Sequence, residues 1–123
     1  MPIFVIQHHL SSHEHYDFRI EMDGTLKSWA VPKEPPTEIG YRRLAVAVDD
    51  HDLSYADFEG KIPEGQYGAG TVKMWDRGNY DIIEQKKDKF VLKLRGKKMN
   101  GEYVLVKMKL GNKNWLLFKT EKR

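Results

Sequence analysis

From Phe4 onward the chain keeps a two-residue alternation of apolar and polar positions, interrupted at short intervals by glycine, proline, asparagine and aspartate. The run "HYDFRIEM" (15–22) is the clearest case. It sets His15, Asp17, Arg19 and Glu21 on one face and Tyr16, Phe18, Ile20 and Met22 on the other. Asp23–Gly24 predicts a tight hairpin turn, with "LKSWAV" (26–31) as the returning strand and "FVIQ" (4–7) as a short apolar strand before it. Pro32, Pro35 and Pro36 predict a loop. "RRLAVAVDDH" (42–51) predicts a strand with Leu44, Val46 and Val48 on one face, opposite the shared parity of Arg43, Asp49, His51 and Tyr55. A glycine-rich loop (62–70) leads into "TVKMWD". Arg77-Gly78-Asn79, Arg95-Gly96, Asn100-Gly101 and Gly111-Asn112 then separate "NYDIIEQ", "KFVLKLR", "EYVLVKMKL" and "NWLLFKTEK". About eight short strands, with room for helix only briefly around 52–60, predict an all-β fold: a compact antiparallel barrel, or a sandwich. At 123 residues the expectation is one domain spanning 1–123.

Composition changes this picture little. The chain is 40% hydrophobic and 32% charged, with a net charge of +3. No apolar run approaches the roughly 18 residues of a membrane span, and the N-terminus lacks the features of an export signal. A cytoplasmic protein without a membrane partner is therefore expected. The absence of cysteine excludes disulfides and thiolate metal sites. Lys86, Lys87, Lys89, Lys93, Arg95, Lys97 and Lys98 make the C-terminal part basic, which suits either a polyanionic partner or solvated strand faces.

Candidate chemistry concentrates near the N-terminus. Four of the five histidines, His8, His9, His13 and His15, fall within eight positions, followed by Asp17 and Arg19. On one strand face, an imidazole, a carboxylate and a guanidinium in that order offer two metal ligands and then a phosphate-binding group. His9 shares the parity of His15, and the intervening "LSSHE" is long enough for a turn. His9, His15 and Asp17 are thus expected to form a metal site from neighbouring strands, with donors that suit Mn²⁺, Zn²⁺ or Fe²⁺ better than Mg²⁺ or Ca²⁺. The alternative for such a face is plain solvation, and His8 and His13 are expected at the surface. His51 and Tyr55 are expected to face the same cavity as acid–base or phosphate-contacting groups. The glycines at 60, 65, 68 and 70 match no nucleotide-binding motif and are expected to serve turns and close packing.

These residues carry a family resemblance. Gln7, His9, "HYDFRIEMDGTLKSWAVPK" (15–33), "DH" (50–51), Tyr55 and "ADFEGKIPEGQYGAGTVKMWDRG" (56–78) together resemble the 3′-phosphoesterase domain of bacterial DNA ligase D, especially its stand-alone archaeal versions. The resemblance implies a β-barrel with a crescent-shaped groove and a Mn²⁺-dependent enzyme, with Co²⁺ or Zn²⁺ as other candidate ions. It implies removal of a terminal 3′ ribonucleoside and then of the 3′-phosphate, leaving a 3′-OH for ligation in end-joining repair. It places the metal ligands at His9, His15 and Asp17, further catalytic groups at Arg19, His51 and Tyr55, and supporting substrate contacts at Gln7, Lys33, Arg43 and Asp49. It also implies DNA 3′ ends as substrate for a monomer, with separate ligase, primase/polymerase and Ku-like proteins as partners. The family's charged N-terminal extension is missing before Phe4, which shifts the expectation from diesterase toward monoesterase activity. Two rival classes fit parts of the pattern. One is a non-haem iron oxygenase using a His15-x-Asp17…His51 triad, and the other is a non-catalytic nucleic-acid-binding barrel using the lysines.

Overall fold

The computed structural model describes residues 1–66 and 68–120; the final residues of the last predicted strand, 121–122, lie outside them. Nine strands are present: β1 (Ile3–Leu10), β2 (His15–Met22), β3 (Thr25–Val31), β4 (Arg42–His51), β5 (Gly60–Ile62), β6 (Gly70–Lys86), β7 (Lys89–Arg95), β8 (Asn100–Lys107) and β9 (Asn114–Lys119). All strand pairs are antiparallel. They run in the order β1-β2-β3-β4-β9-β8-β7-β6, and a β1–β6 pairing closes an eight-stranded barrel, with β5 added beside β6. Closure removes the exposed sheet edges that an open sheet of this size would carry. Among the described residues the sole helical element is a 3₁₀ turn, Leu53–Asp57, inside the interval where the sequence leaves room for one.

Alternation along the strands fills the barrel. Phe4 and Ile6 from β1, Phe18 and Ile20 from β2, Trp29 and Val31 from β3 meet Leu92, Leu94, Tyr103, Leu105 and Leu117 from the far wall. Trp29 packs edge-on against Phe90 and Trp115. The Asp23–Gly24 hairpin forms as predicted, both residues at positive φ (55° and 79°), the backbone that a two-residue turn between right-twisted strands requires.

Two expectations need correction. Leu44, Val46 and Val48 are not the inward face of β4: Leu44 and Val48 are 41% and 40% exposed, whereas Ala45 is fully buried. Ala45 and Ala47 pair directly with Trp115 of β9 and Trp29 of β3, whose bulk fills the interior beside β4, so the small side chains turn inward. Arg77-Gly78-Asn79 is not a turn either, because β6 runs unbroken from Gly70 to Lys86. Gly78 is required by close approach: a Cβ there would lie 2.1 Å from the Arg95 carbonyl oxygen of β7.

A second, smaller apolar layer sits outside the barrel. Val5, Leu26 and Ala56 pack together with Ile3, Tyr55 and Met74, seating the 3₁₀ turn on the outer faces of β1 and β3. Part of the outer face of β1 and β3 is therefore covered, not solvated.

At one end of the barrel, the buried Asp76 carboxylate accepts four backbone N–H bonds, from Arg77 (2.9 Å), Lys97 (2.9 Å), Lys98 (3.0 Å) and Met99 (2.7 Å). It closes the β7–β8 turn, and Gly96 leaves room for it. Asp76→Ala orphans these donors and is expected to cost about 3 kcal/mol, a fall in Tm on the order of 10 °C by thermal unfolding. An unchanged Tm would mean that the turn holds without the carboxylate.

Candidate metal centre

The pairing of β1 with β2 sets His9 directly opposite His15 and Gln7 opposite Asp17. All four lie on the outer sheet face, and His9 and Asp17 are each only 8% exposed. One donor atom from each of His9, His15 and Asp17 comes together, all within 4.8 Å of one another. His9 Nδ1 lies 4.0 Å from Asp17 Oδ2, and His15 Nε2 lies 3.2 Å from Asp17 Oδ1.

Backbone carbonyls fix both rings. His9 Nε2 is 2.8 Å from the Gly68 carbonyl and His15 Nδ1 is 2.9 Å from the His13 carbonyl. A carbonyl only accepts, so each of these nitrogens carries its proton and the other nitrogen turns toward Asp17. This is the arrangement by which outer partners orient metal-binding imidazoles. Two nitrogens and a carboxylate oxygen with tied second nitrogens are a donor set that fits a divalent transition metal.

Electrostatics agree. The hydrogen bond to Asp17 holds the His15 pKa above its usual 6.5, against the opposing effect of burial. Burial pushes the Asp17 carboxyl upward, but the His15 hydrogen bond and the charge of Arg19 outweigh it, and its pKa is lowered. Asp17 is thus an anion, and a proton on His15 occupies the place that a cation would take.

Arg19, 3% exposed, anchors the floor next to this cluster. Its Nε donates to Gln7 Oε1 (2.6 Å), Nη1 donates to Ser28 Oγ (2.9 Å) and to His51 Nδ1 (3.1 Å), and Nη2 lies 3.4 Å from Asp17 Oδ2. Of its five N–H groups, one on Nη2 is left over. His51 Nδ1 also lies 3.3 Å from the Asp49 carbonyl, but the shorter contact is with a guanidinium that can only donate, so Nδ1 accepts from Arg19 and the ring proton of neutral His51 sits on Nε2. Burial, followed by the charge of Arg19, lowers the His51 pKa and keeps the ring neutral. The Tyr55 ring lies under the guanidinium at 4.9 Å and against His51 at 4.9 Å.

The six residues His9, His15, Asp17, Arg19, His51 and Tyr55 line one groove, together with Ser11, His13, Ala30, Val48, Asp49 and Asp50. Other candidates fall elsewhere. Gln7 is fully buried, and its amide donates to the Tyr55 (2.8 Å) and Phe58 (3.2 Å) carbonyls, so it ties the 3₁₀ turn to Arg19. Lys33 is exposed outside the groove. Arg43 donates to the Glu34 carbonyl (2.8 Å) and lies over Tyr41. A bulge in β4 explains the separation of Arg43 from His51. Leu26 pairs with His51 but Ser28 with Val48, so Asp49 and Asp50 together span a single residue of β3. The extra residue reverses the side-chain parity: His51 shares the face of Val48, while Arg43 remains on the other face. His8 stacks on Tyr16 and bonds to Glu14, away from the donor cluster, and His13 contributes its carbonyl. His51, bound by Arg19, is outside the donor set, so the triad that an iron oxygenase would build on it does not form.

Sequence reasoning missed Ser28 and the Gly68 carbonyl. The first is a small polar residue on a mostly apolar strand, facing Arg19 across the β2–β3 pair. The second is a main-chain group, which no residue type announces.

Comparison with known proteins fits this geometry. The family model for the DNA ligase D 3′-phosphoesterase domain matches residues 7–107. The chain is 46% identical, over 96% of its length, to a multifunctional non-homologous end joining protein LigD of Pseudomonas aeruginosa. It is 46% identical over 85% of its length to a LigD of Mycobacterium tuberculosis, and 41% identical over 92% to one of Mycolicibacterium smegmatis. It spans 15%, 14% and 16% of those proteins, respectively. On the matching family model and these identities, the chain belongs to the DNA ligase D 3′-phosphoesterase domain family.

Proposed function

We propose that this protein is a divalent-metal-dependent phosphoesterase that heals DNA 3′ ends in end-joining repair. In this reading it removes a terminal 3′ ribonucleoside and then the 3′-phosphate to leave a 3′-OH. The observation that carries the reading is the convergence of the His9, His15 and Asp17 donors beside the Arg19–His51 pair. A metal site and an anion-binding corner share one groove.

His9 Nδ1, His15 Nε2 and an Asp17 oxygen would hold the ion, with Mn²⁺ the first candidate and Co²⁺ or Zn²⁺ others. Such an ion supplies Lewis-acid stabilisation of charge on a phosphoryl oxygen. The residues around it do the rest. Arg19 brings a buried positive charge to the groove floor, where low dielectric strengthens its pull on a phosphate. Four of its donors are committed to Gln7, Ser28, His51 and Asp17, so it acts as a fixed charge and as the group that orients His51, with one Nη2 donor to spare. Neutral His51 presents Nε2–H as a donor to a phosphoryl or leaving oxygen. Burial raises the Tyr55 pKa, so its hydroxyl stays protonated and serves to orient, not to accept a proton. Phosphoryl transfer depends chiefly on charge stabilisation and positioning, which this corner provides without a covalent nucleophile. DNA 3′ ends are the proposed substrate, with ligase, primase/polymerase and Ku-like functions as proposed partners.

The lysine-rich segment gives less support to a purely binding barrel. Lys86, Lys87 and Lys89 cluster at the β6–β7 hairpin and Lys97 and Lys98 at the β7–β8 turn, at opposite ends of β7.

His9→Ala, His15→Ala and Asp17→Asn are each expected to reduce Mn²⁺-dependent phosphate release from a 3′-phosphate primer to background, with circular dichroism confirming a folded barrel. Activity kept by any of them would place the reaction elsewhere. Because the His15 proton and the ion compete, Mn²⁺ affinity measured by calorimetry is expected to weaken as pH falls. The decline sets in above pH 6.5, since the His15 pKa is raised and not lowered. An affinity that stays flat from pH 8 to 6 would remove His15 from the ligand set.

A further inference from the structure

The groove extends past the charged corner on both sides, and its two ends differ. On the β3–β4 side Ala30 and Val48 are followed by Asp49 and Asp50, both exposed. On the other side Phe58, Ile62 and Ala69 line it. Phe58 is half-buried and stacks nearly parallel on Tyr55, with ring centres 4.9 Å apart and planes at 15°. Arg19, Tyr55 and Phe58 thus form a continuous cation–ring–ring stack running from the phosphate corner to the groove wall. Ile62 and the His9 ring both border Gly68: a Cβ built there would be 3.8 Å from His9 Cε1 and from Ile62 Cδ1. Three acidic residues flank this end in sequence, but none lines the groove: Asp57 is paired with Arg77 (2.8 Å), Glu59 is engaged by the Met74 amide (2.7 Å), and Glu64 is exposed in the following loop, while Lys61 lies next to Ile62.

We propose that Phe58 and Ile62 form a nucleoside-binding wall that receives the base and sugar of the nucleotide bearing the 3′-phosphate. This rests on the phosphoesterase reading and deepens it. A polyanion that remains bound must leave the site through the end with less negative charge, and the Asp49–Asp50 end repels it. An aromatic ring beside a phosphate site is the usual surface on which a base stacks without regard to sequence. The wall therefore contributes to affinity for a base-bearing end and not to selection among bases.

The test compares two oligonucleotides that carry a 3′-phosphate, one on a normal terminal nucleotide and the other on an abasic sugar. Wild-type protein, Phe58→Ala, Phe58→Leu and Ile62→Ser are assayed with Mn²⁺. Phe58→Ala is expected to lose about tenfold more in kcat/KM on the base-bearing end than on the abasic end, mostly through KM. Phe58→Leu, which keeps apolar bulk against Tyr55, is expected to show the same differential loss, and Ile62→Ser a smaller one. Equal losses on the two ends would mean that Phe58 acts only by supporting Tyr55, and would overturn the wall, as would no loss in an active protein. Wild-type protein inactive on both ends would overturn the phosphoesterase reading itself, and the wall with it.

Discussion

The register between β1 and β2 governs the site. In an antiparallel pair, a slip of one residue would turn His15, Asp17 and Arg19 into the barrel and Phe18 and Ile20 out of it. The core forbids that slip, because Phe4, Ile6, Phe18 and Ile20 fill the interior and leave no room for a guanidinium. The same alternation that packs the barrel therefore delivers two imidazoles and a carboxylate to one spot on its outside. The His9–His15 pairing across the ladder needs no loop to hold it; only the second nitrogens of the rings rely on loop carbonyls, those of Gly68 and His13. Sites borne on strands are held more rigidly than sites on loops, which suits a centre whose donors must agree to within fractions of an ångström.

A polar row on the outer face of a barrel would ordinarily be wet. Here the 3₁₀ turn covers its lower part, and Gln7 is the fastener. One face of its amide binds Arg19, and the other binds the carbonyls of the turn that carries Tyr55. Burying Arg19 without partners would be costly, and each of its contacts answers part of that cost: Asp17 by charge, Gln7, Ser28 and His51 by hydrogen bonds. The outcome is a preorganised corner in which the arginine is fixed before any anion arrives, and the tautomer of His51 is decided by that arginine.

Much of this was legible in the chain. The strands 15–22, 42–51 and 89–95 match their predicted limits, because alternation and turn residues there are unambiguous. The convergence of His9, His15 and Asp17 followed from parity across a single hairpin, where nothing interrupts the count. Parity failed where a bulge intervened. Counting from Arg43 to His51 grouped two residues that the Asp49–Asp50 bulge puts on opposite faces, and no residue type signals that bulge. The outward turn of Leu44 and Val48 was hidden for a related reason. Hydrophobicity identified β4 as a strand, but which face is inward depends on the bulk of Trp29 and Trp115 on the two strands that flank it. Gly78 was misread because glycine serves turns and close backbone approach alike, and the deciding neighbour, Arg95, lies 17 residues away in sequence and on another strand.

Everything proposed for the groove requires that His9, His15 and Asp17 bind one divalent ion beside Arg19. A crystal structure of the protein soaked in Mn²⁺, with anomalous diffraction collected to locate the metal, tests it most directly. The expected result is one strong anomalous peak in contact with His9 Nδ1, His15 Nε2 and a carboxylate oxygen of Asp17, with the Gly68 and His13 hydrogen bonds intact. A peak held by other residues, or no peak with the two imidazoles turned away from Asp17, would contradict it.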